Sequence, residues 1–252
     1  MLRPDRCIGC GACLEVCDGG AICEDRGTIL TSRERCRSCG ACVEVCHAEA
    51  RELVGRFVTV AEVVAEIVRD IQFYDESGGG VTFSGGEPLS QPDFLRDLLS
   101  ACQAHGLHTT LDTCGFAPRE ALDSIRNHVD LFLYDIKLMD TMRHQEATGV
   151  SNEPIIRNLC TLSREGHRII IRVPIIPQVN DDEENLRRTA AFAASLDGLE
   201  RVDLLPYHPL AREKYRQLGQ VCTMPEGSGP SDSRMTEISD TFSQFGLVTR
   251  IV

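Results

Sequence analysis

Residues 7–17 read CIGCGACLEVC, and residues 36–46 read CRSCGACVEVC. The two stretches are identical at eight of eleven positions, and each has the spacing Cys-x2-Cys-x2-Cys-x3-Cys. Together they hold eight of the thirteen cysteines of a 252-residue chain. A secreted disulfide scaffold would be short, whereas this chain is long and shows no apolar signal peptide. The repeat therefore predicts a metal-binding module.

Each run has the spacing typical of bacterial ferredoxins with two four-iron clusters, in which the fourth cysteine of a run ligates the other cluster. Gly9, Gly11 and Gly40 give the ligand loops backbone freedom. Residues 1–56 are therefore predicted to form a ferredoxin-like module with two [4Fe-4S] clusters. The first cluster is assigned to Cys7, Cys10, Cys13 and Cys46, and the second to Cys36, Cys39, Cys42 and Cys17.

Zinc is the alternative metal, but zinc sites usually need two Cys-x2-Cys pairs rather than two runs of four. The runs depart from the ferredoxin pattern in one respect, because Asp18 and His47 replace the proline that usually follows the fourth cysteine. Cys23 lies between the runs and is predicted to be a small buried hydrophobic residue.

Acidic residues dominate the charge of the chain. There are 38 Asp and Glu residues against 26 Lys and Arg, for a formal net charge of −12. This balance argues against nucleic acid or an anionic membrane as a partner. No apolar run approaches the length of a membrane span. We expect a soluble, cytoplasmic protein.

Residues 57–252 alternate between two patterns. Short apolar runs suit buried parallel strands, as in GVTFSG, HTTLDT, LFLYDI, RIIIRVPII and RVDLLPYH. Amphipathic helix patterns lie between and after them, as in VAEVVAEIVRDI, PDFLRDLLSACQAHG, EALDSIRNHV, PIIRNLCTLSREG, ENLRRTAAFAASL and RMTEISDTFSQFG. This alternation predicts an α/β domain with a parallel sheet and crossover helices.

Polar residues follow the predicted strands, where barrels of this class carry their chemistry. They are Gly85, Gly86, Glu87, Asp112, Thr113, Asp135, Lys137 and His208, and Arg172 lies within a strand run. No Gly-Lys-Ser/Thr follows Gly86, so the glycines do not predict a phosphate loop. Their carbonyls and Glu87 suit a ligand amino group, and Lys137 suits a carboxylate. Together they predict a pocket for an amino-acid zwitterion.

The stretches GGGVTFSGGEPL, LDTCGF, YDIKLMD, ATGVSN and LLPYH, taken in order, resemble the activating enzymes of glycyl radical enzymes. These are radical S-adenosylmethionine proteins similar to pyruvate formate-lyase activating enzyme, and the two-cluster head resembles the subgroup with a ferredoxin-like insert. The resemblance implies reductive cleavage of S-adenosylmethionine to a 5′-deoxyadenosyl radical, which takes a hydrogen from a glycine of a partner enzyme. It also implies a flavodoxin or ferredoxin-type electron donor, with the two clusters relaying electrons.

The resemblance also implies roles for the strand-end residues. Gly85, Gly86 and Glu87 would hold the methionyl amino group, while Asp135 and Lys137 would lie along the carboxylate and ribose. His208 would contact the nucleoside, and Arg172 would point into the barrel near the ligand. The remaining pair, Asp112 and Thr113, matches a monovalent cation position.

One family element is absent from these 252 residues. The catalytic cluster needs Cys-x3-Cys-x2-Cys, and no three cysteines here have that spacing; after Cys13 and Cys17, position 20 is Gly20. No catalytic residue is therefore identified, and a third [4Fe-4S] cluster is expected only with an additional N-terminal segment. We expect Met1 to be a cut edge, residues 57–252 to form a partial (β/α) barrel lacking its first strand, and the chain to be inactive alone. The alternative function is an iron–sulfur electron-transfer protein with a non-catalytic barrel scaffold.

Overall fold

The computed structural model describes residues 1–25, 27–209, 211–218, 220, 222 and 227–252. The chain divides into two compact units. The first, which we call the cysteine unit, comprises Met1–Phe57 and His208–Glu226, and the second, the sheet unit, comprises Val58–Tyr207 and Gly227–Val252. The sequence predicts a division after residue 56, and the boundary lies after Phe57; nothing in the sequence indicated that 208–226 would join the first unit.

The helices of the described residues, in chain order, are α1 (Ala12–Glu15), α2 (Ala41–Glu44), α3 (Val60–Val68), α4 (Ile71–Ser77), α5 (Pro92–Ala104), α6 (Arg119–Ile125), α7 (Thr141–Thr148), α8 (Glu153–Arg164), α9 (Glu183–Ala194), α10 (Ala211–Gln217) and α11 (Asp232–Ser243). The strands are β1 (Ile22–Asp25), β2 (Thr28–Thr31), β3 (Gly80–Phe83), β4 (His108–Thr113), β5 (Leu131–Asp135), β6 (Ile169–Ile175), β7 (Leu199–Pro206) and β8 (Thr249–Ile251).

The cysteine unit repeats its backbone as well as its sequence. In each run a left-handed glycine starts a four-residue helix, with φ of 76° at Gly11 before α1 and 84° at Gly40 before α2. Residues with a side chain disfavour this left-handed conformation, which explains why glycine occupies this position in both halves of the repeat. Between the runs, β1 and β2 pair as an antiparallel hairpin. The prediction that Cys23 is buried is wrong: it lies on β1 and is exposed, because a two-stranded hairpin leaves side chains in solvent.

The sheet unit contains a six-stranded parallel sheet in the order β3-β4-β5-β6-β7-β8, which is also the chain order. Right-handed crossovers between strands in sequential order put all the connecting helices on one face. The side chains of β5 show the result. Phe132 and Tyr134 are fully buried in the helix-side core, whereas Leu133 and Asp135 point to the other face and stay partly exposed.

Most of the fold predictions are confirmed. Each predicted strand run forms a strand, and the strands pair as a parallel sheet connected by helices, as the α/β prediction states. The run VAEVVAEIVRDI forms a helix but breaks near Asp70, where α4 begins anew. Helices α4, α7 and α10, strand β8 and the β1–β2 hairpin were not predicted. None of the described helices is long and apolar enough to cross a membrane.

Candidate functional site

Two cavities in the cysteine unit collect the eight cysteines of the repeat. A small cavity is lined by Cys7, Cys10, Cys13 and Cys46. A second cavity, of about 810 Å³, is lined by Cys17, Cys36, Cys39 and Cys42. In both cases the fourth cysteine comes from the other run, as crossed ligation requires. Among the described residues, no three His, Cys, Asp or Glu side chains converge closely enough to hold a single metal ion. The donor sets, four thiols around each cavity, fit two four-iron clusters.

Arg51 lies between these cavities and lines both. It is 5% exposed, and it donates hydrogen bonds to Thr31 Oγ1 at 2.5 Å and to Cys13 Sγ at 3.6 Å. Its Nε is buried without a hydrogen-bond partner. Burial raises the pKa of the Cys42 thiol, and the charge of Arg51 acts in the opposite direction. A buried cation beside thiols favours their anionic form. Nothing in the sequence pattern singled out Arg51.

In the sheet unit, Glu87 ties the ends of β3 and β4 together. Its carboxylate accepts hydrogen bonds from the Thr113 hydroxyl at 2.6 Å and from the backbone N–H groups of Cys114 at 2.9 Å and Leu89 at 3.0 Å. The Cys114 thiol also interacts with this carboxylate, so nearly all of the acceptor capacity of Glu87 is used within the protein. Among the described residues, no backbone N–H donates to the carbonyls of Gly85 or Gly86. The carbonyls of the two glycines, more than the Glu87 side chain, are available to a ligand amino group.

Cys114 lies at the same strand end, directly after β4. Burial, followed by the hydrogen bond to Glu87, raises the pKa of its thiol to about 11 from the ordinary 9.0. Tyr134 is buried beside it, and its hydroxyl donates to the carbonyl of Ile155 at 2.8 Å. Burial raises the pKa of this phenol, with Cys114 and Glu87 adding to the effect. The raised pKa values keep the Cys114 thiol and the Tyr134 phenol neutral at ordinary pH.

Arg172 on β6 links its own strand to the neighbouring strands β4 and β5 by binding an aspartate carboxylate on each. Its Nη2 donates to Asp112 on β4 and to Asp135 on β5 at 2.8 Å, and its Nε donates to Asp135 at 3.0 Å. Lys137 approaches the other oxygen of Asp135 at 3.5 Å. The pairing register explains the meeting, since Asp135 and Arg172 are direct partners across β5 and β6. Two positive and two negative charges thus form a balanced, half-buried cluster on the sheet face opposite the helix-side core, which we call the open face.

The predicted cation pair is already engaged in the protein. Asp112 accepts from Arg172 and, through its other oxygen, from Ser84 Oγ at 2.8 Å. The Thr113 hydroxyl donates to Glu87 and accepts from the N–H of Gly115 at 2.8 Å. The monovalent cation role of the pair stays a prediction.

Sequence reasoning missed a further charged pair on the same face. Arg201 Nε donates to Asp203 at 2.7 Å on β7, and Asp203 is buried. Asp203 is the direct partner of Arg172 across β6 and β7. The alternation of polar and apolar residues in RVDLL was the available signal for this pair. Val202 and Leu204 are buried in the core, so Arg201 and Asp203 point to the opposite face. His208 is exposed and belongs to the cysteine unit, so its predicted nucleoside contact stays a prediction.

Two family models match this chain. Residues 34–190 match the model of the radical SAM superfamily, and residues 1–47 match a 4Fe-4S dicluster domain. The chain belongs to the radical SAM superfamily. It therefore combines an iron–sulfur domain with the fold that acts on S-adenosylmethionine.

Curated relatives indicate which group of radical SAM proteins this chain resembles. It is 41% identical over 254 residues to the trans-4-hydroxy-L-proline dehydratase activating enzyme of Clostridioides difficile, covering 100% of this chain and 84% of the relative. It is 37% identical over 258 residues to the choline trimethylamine-lyase activating enzyme of Oleidesulfovibrio alaskensis, covering 100% of this chain and 83% of the relative. The resemblance to glycyl radical enzyme activating enzymes is thereby confirmed.

Solved structures agree with the fold. A domain of pyruvate-formate lyase-activating enzyme from Bacteroides vulgatus aligns with a TM-score of 0.59 at 35% identity, covering 69% of this chain and 99% of that one. A radical SAM methyltransferase from Sphaerobacter thermophilus aligns with a TM-score of 0.58 at 16% identity, covering 81% of this chain and 60% of that one. At that identity the second likeness concerns the fold alone.

Proposed function

We propose that this radical SAM protein activates a glycyl radical enzyme, with S-adenosylmethionine bound on the open face of the sheet and two [4Fe-4S] clusters held in the cysteine unit. When bound and reduced, S-adenosylmethionine supplies the 5′-deoxyadenosyl radical that takes a hydrogen from the partner's glycine. The observation that carries the proposal is the charged face itself. Parallel sheets normally have both faces covered, yet the charged strand-end side chains of this sheet lie on the face opposite the helix-side core and stay partly exposed.

The charge pattern of this face supports a zwitterionic ligand. Lys137, held by Asp135, offers its ammonium group to a carboxylate, and the carbonyls of Gly85 and Gly86 offer acceptors to an amino group. Arg172 keeps the two aspartates in place, so that Asp135 stays oriented at the edge of the site. Glu87 shapes the glycine turn by anchoring it to β4.

The cysteine unit supports electron storage by this protein. Four-iron clusters with four thiolate ligands carry one electron each, and the two cavities provide two such sets of thiols. The proposed ligands are those of the crossed arrangement described above. An electron donor of the flavodoxin or ferredoxin type would reduce them.

Ligand binding is the first test. We expect Lys137→Met to weaken binding of S-adenosylmethionine by roughly tenfold or more, because a charged hydrogen bond contributes about 1.5–3 kcal/mol. Asp93→Asn is the matched control, since Asp93 is exposed on α5, on the helix side of the sheet. Equilibrium dialysis of the anaerobically reconstituted chain gives the affinities. If wild type, Lys137→Met and the control bound S-adenosylmethionine with equal affinity, the proposed binding site would be contradicted.

Catalysis is the second test. For the 252-residue chain we expect no 5′-deoxyadenosine with dithionite, because the sequence holds no Cys-x3-Cys-x2-Cys for a catalytic cluster. Fusing the corresponding motif segment of a family member ahead of Met1 should produce 5′-deoxyadenosine and a glycyl radical signal on a partner enzyme in electron paramagnetic resonance. Production of 5′-deoxyadenosine by the unfused chain would overturn the expectation. A fusion that holds three clusters but never yields a radical would favour the electron-carrier function instead.

A further inference from the structure

The two halves of the cysteine repeat share a backbone but differ in surface charge. Residues 4–8 and residues 33–37 occupy equivalent positions before and around the first cysteine of each run. The first segment reads PDRCI and carries one negative and one positive charge. The second reads RERCR and carries three positive charges and one negative. This local excess of positive charge occurs in a chain whose formal net charge is −12.

The three arginines of the second segment are free to face a partner. Arg33, Arg35 and Arg37 are all exposed, and among the described residues none of them has an ion-pair partner. In the first segment, by contrast, Arg6 lies 3.8 Å from Glu49, and Asp5 lies 3.8 Å from Arg216. The equivalent of Arg37 is Ile8, an apolar side chain that is 73% exposed.

The arginines surround thiols that are themselves open to solvent. All three line the same cavity as Cys17, Cys36, Cys39 and Cys42, and Cys36 and Cys39 are exposed. In the other set only Cys10 is exposed. A cluster held by Cys36 and its partners would therefore lie at the surface beneath an unpaired cationic rim. Electron transfer needs close approach, and a charged rim steers an oppositely charged protein to it.

We propose that residues 33–37, which we call the arginine rim, are the docking surface for an acidic one-electron donor protein. This inference rests on the proposed function of the clusters. The cluster of Cys17, Cys36, Cys39 and Cys42 is then the entry point for electrons. In each encounter the donor loses one electron and this cluster gains one, with no bond formed or broken. Nucleic acid is the other polyanion that arginines attract, but three charges on a strongly acidic chain favour a protein with a local acidic patch.

The test measures how fast an acidic flavodoxin in its hydroquinone form reduces the reconstituted chain, by stopped-flow bleaching of the cluster absorbance. Replacing the three rim arginines together by glutamine should slow the second-order rate by about tenfold or more and flatten its dependence on ionic strength. Replacing all three by lysine should preserve the rate, because steering needs charge and not guanidinium geometry. Reduction by the methyl viologen radical cation should not slow in any variant.

Two controls separate the possible failures. Arg6→Gln removes the equivalent charge from the other half of the repeat. Glutamine at Arg69, Arg96 and Arg164 removes three charges from the sheet unit. Neither control should change the rate by more than about twofold. A chain without iron, or one that viologen does not reduce, would count against the proposed clusters. Reducible clusters with an unchanged flavodoxin rate in the glutamine variant would overturn the docking surface. The proposal would also be overturned if the wild-type rate did not depend on ionic strength. It would equally be overturned if the arginines were needed for binding a DNA oligonucleotide while the rate of reduction by the donor did not depend on them.

Discussion

At the scale of single residues, Arg51 has the largest expected effect on the clusters. It is a buried cation shared by both cavities and hydrogen-bonded to Cys13. Positive charge and hydrogen bonds to sulfur stabilise the reduced, more negative cluster. We expect Arg51→Gln to lower the reduction potentials of the two clusters by some tens of millivolts. A shift of about 59 mV corresponds to a tenfold change in the equilibrium constant of a one-electron reduction. Redox titration followed by electron paramagnetic resonance measures the change.

Arg3→Gln is the control for this experiment, because Arg3 lies in the same unit but pairs with Glu52 at 2.6 Å. The control should leave both potentials near their wild-type values. Equal shifts in the two variants would show that Arg51 has no specific influence on the clusters.

Cys114 carries a prediction about pH. Burial and the bond to Glu87 raise the pKa of its thiol to about 11, so alkylation by iodoacetamide should increase steeply only toward that pH. Glu87→Gln removes the accepting carboxylate and should lower this pKa, leaving it above 9.0 because burial is the larger cause. The raised value also means that folding loses stability as the pH rises from 9.0 toward 11. Mass spectrometry of Cys114 alkylation against pH checks the shift, and identical profiles for both proteins would refute the role of Glu87.

The sequence predicted which residues meet at the site better than it predicted their hydrogen bonds. Asp135 and Lys137 were recognised because they follow an apolar strand run. The engagement of Glu87 by Thr113 and Cys114 depends on the parallel pairing of β3 and β4, which no local pattern encodes. Arg51 was missed because a single arginine outside any periodic pattern does not indicate where it is buried.

At the scale of elements, the turn after β4 leaves no room for a side chain at Gly115. Gly115 has a φ of 67°, and a Cβ there would lie 1.6 Å from the Tyr134 hydroxyl. We expect Gly115→Ala to destabilise the sheet unit by about 3 kcal/mol or more, since both backbone strain and a clash in the core contribute. Gly149→Ala, at a φ of 84° with no atom within 4 Å of the added Cβ, isolates the strain and should cost about 1 kcal/mol. Urea denaturation compares them, and equal losses would contradict the clash.

The elements that the sequence missed share a physical cause. Helix α7 carries a single buried side chain, His144, so its sequence lacks the apolar stripe that predicts a helix. Strands β1 and β2 have four residues each and one buried residue apiece. Strands of the main sheet were recognised because Phe132, Ile169 and Ile171 and their neighbours form continuous apolar runs.

At the scale of the whole molecule, the two units differ in what holds them together. The buried apolar residues described in the cysteine unit are Ala21, Ile22, Ile29 and Ala50, a small core for its size. The sheet unit instead has a continuous core of leucine, isoleucine, valine and phenylalanine. Small domains with little core depend on bound metal for stability.

Removing iron should therefore affect the units unequally. We expect anaerobic chelation to unfold or loosen the cysteine unit while the sheet unit keeps a cooperative thermal transition within a few degrees of its original midpoint. Calorimetry before and after iron removal, with limited proteolysis to locate the loosened segment, provides the measurement. Loss of both transitions together would contradict independent stabilisation.

Metal and sulfide analysis tests the central claim most directly, because the proposed function depends on electrons stored at the eight cysteines of the repeat. After anaerobic reconstitution we predict about eight irons and about eight acid-labile sulfides per chain, as two four-iron clusters require. Stoichiometric zinc without sulfide, or about four irons with the cysteines of one run unligated, would contradict the account.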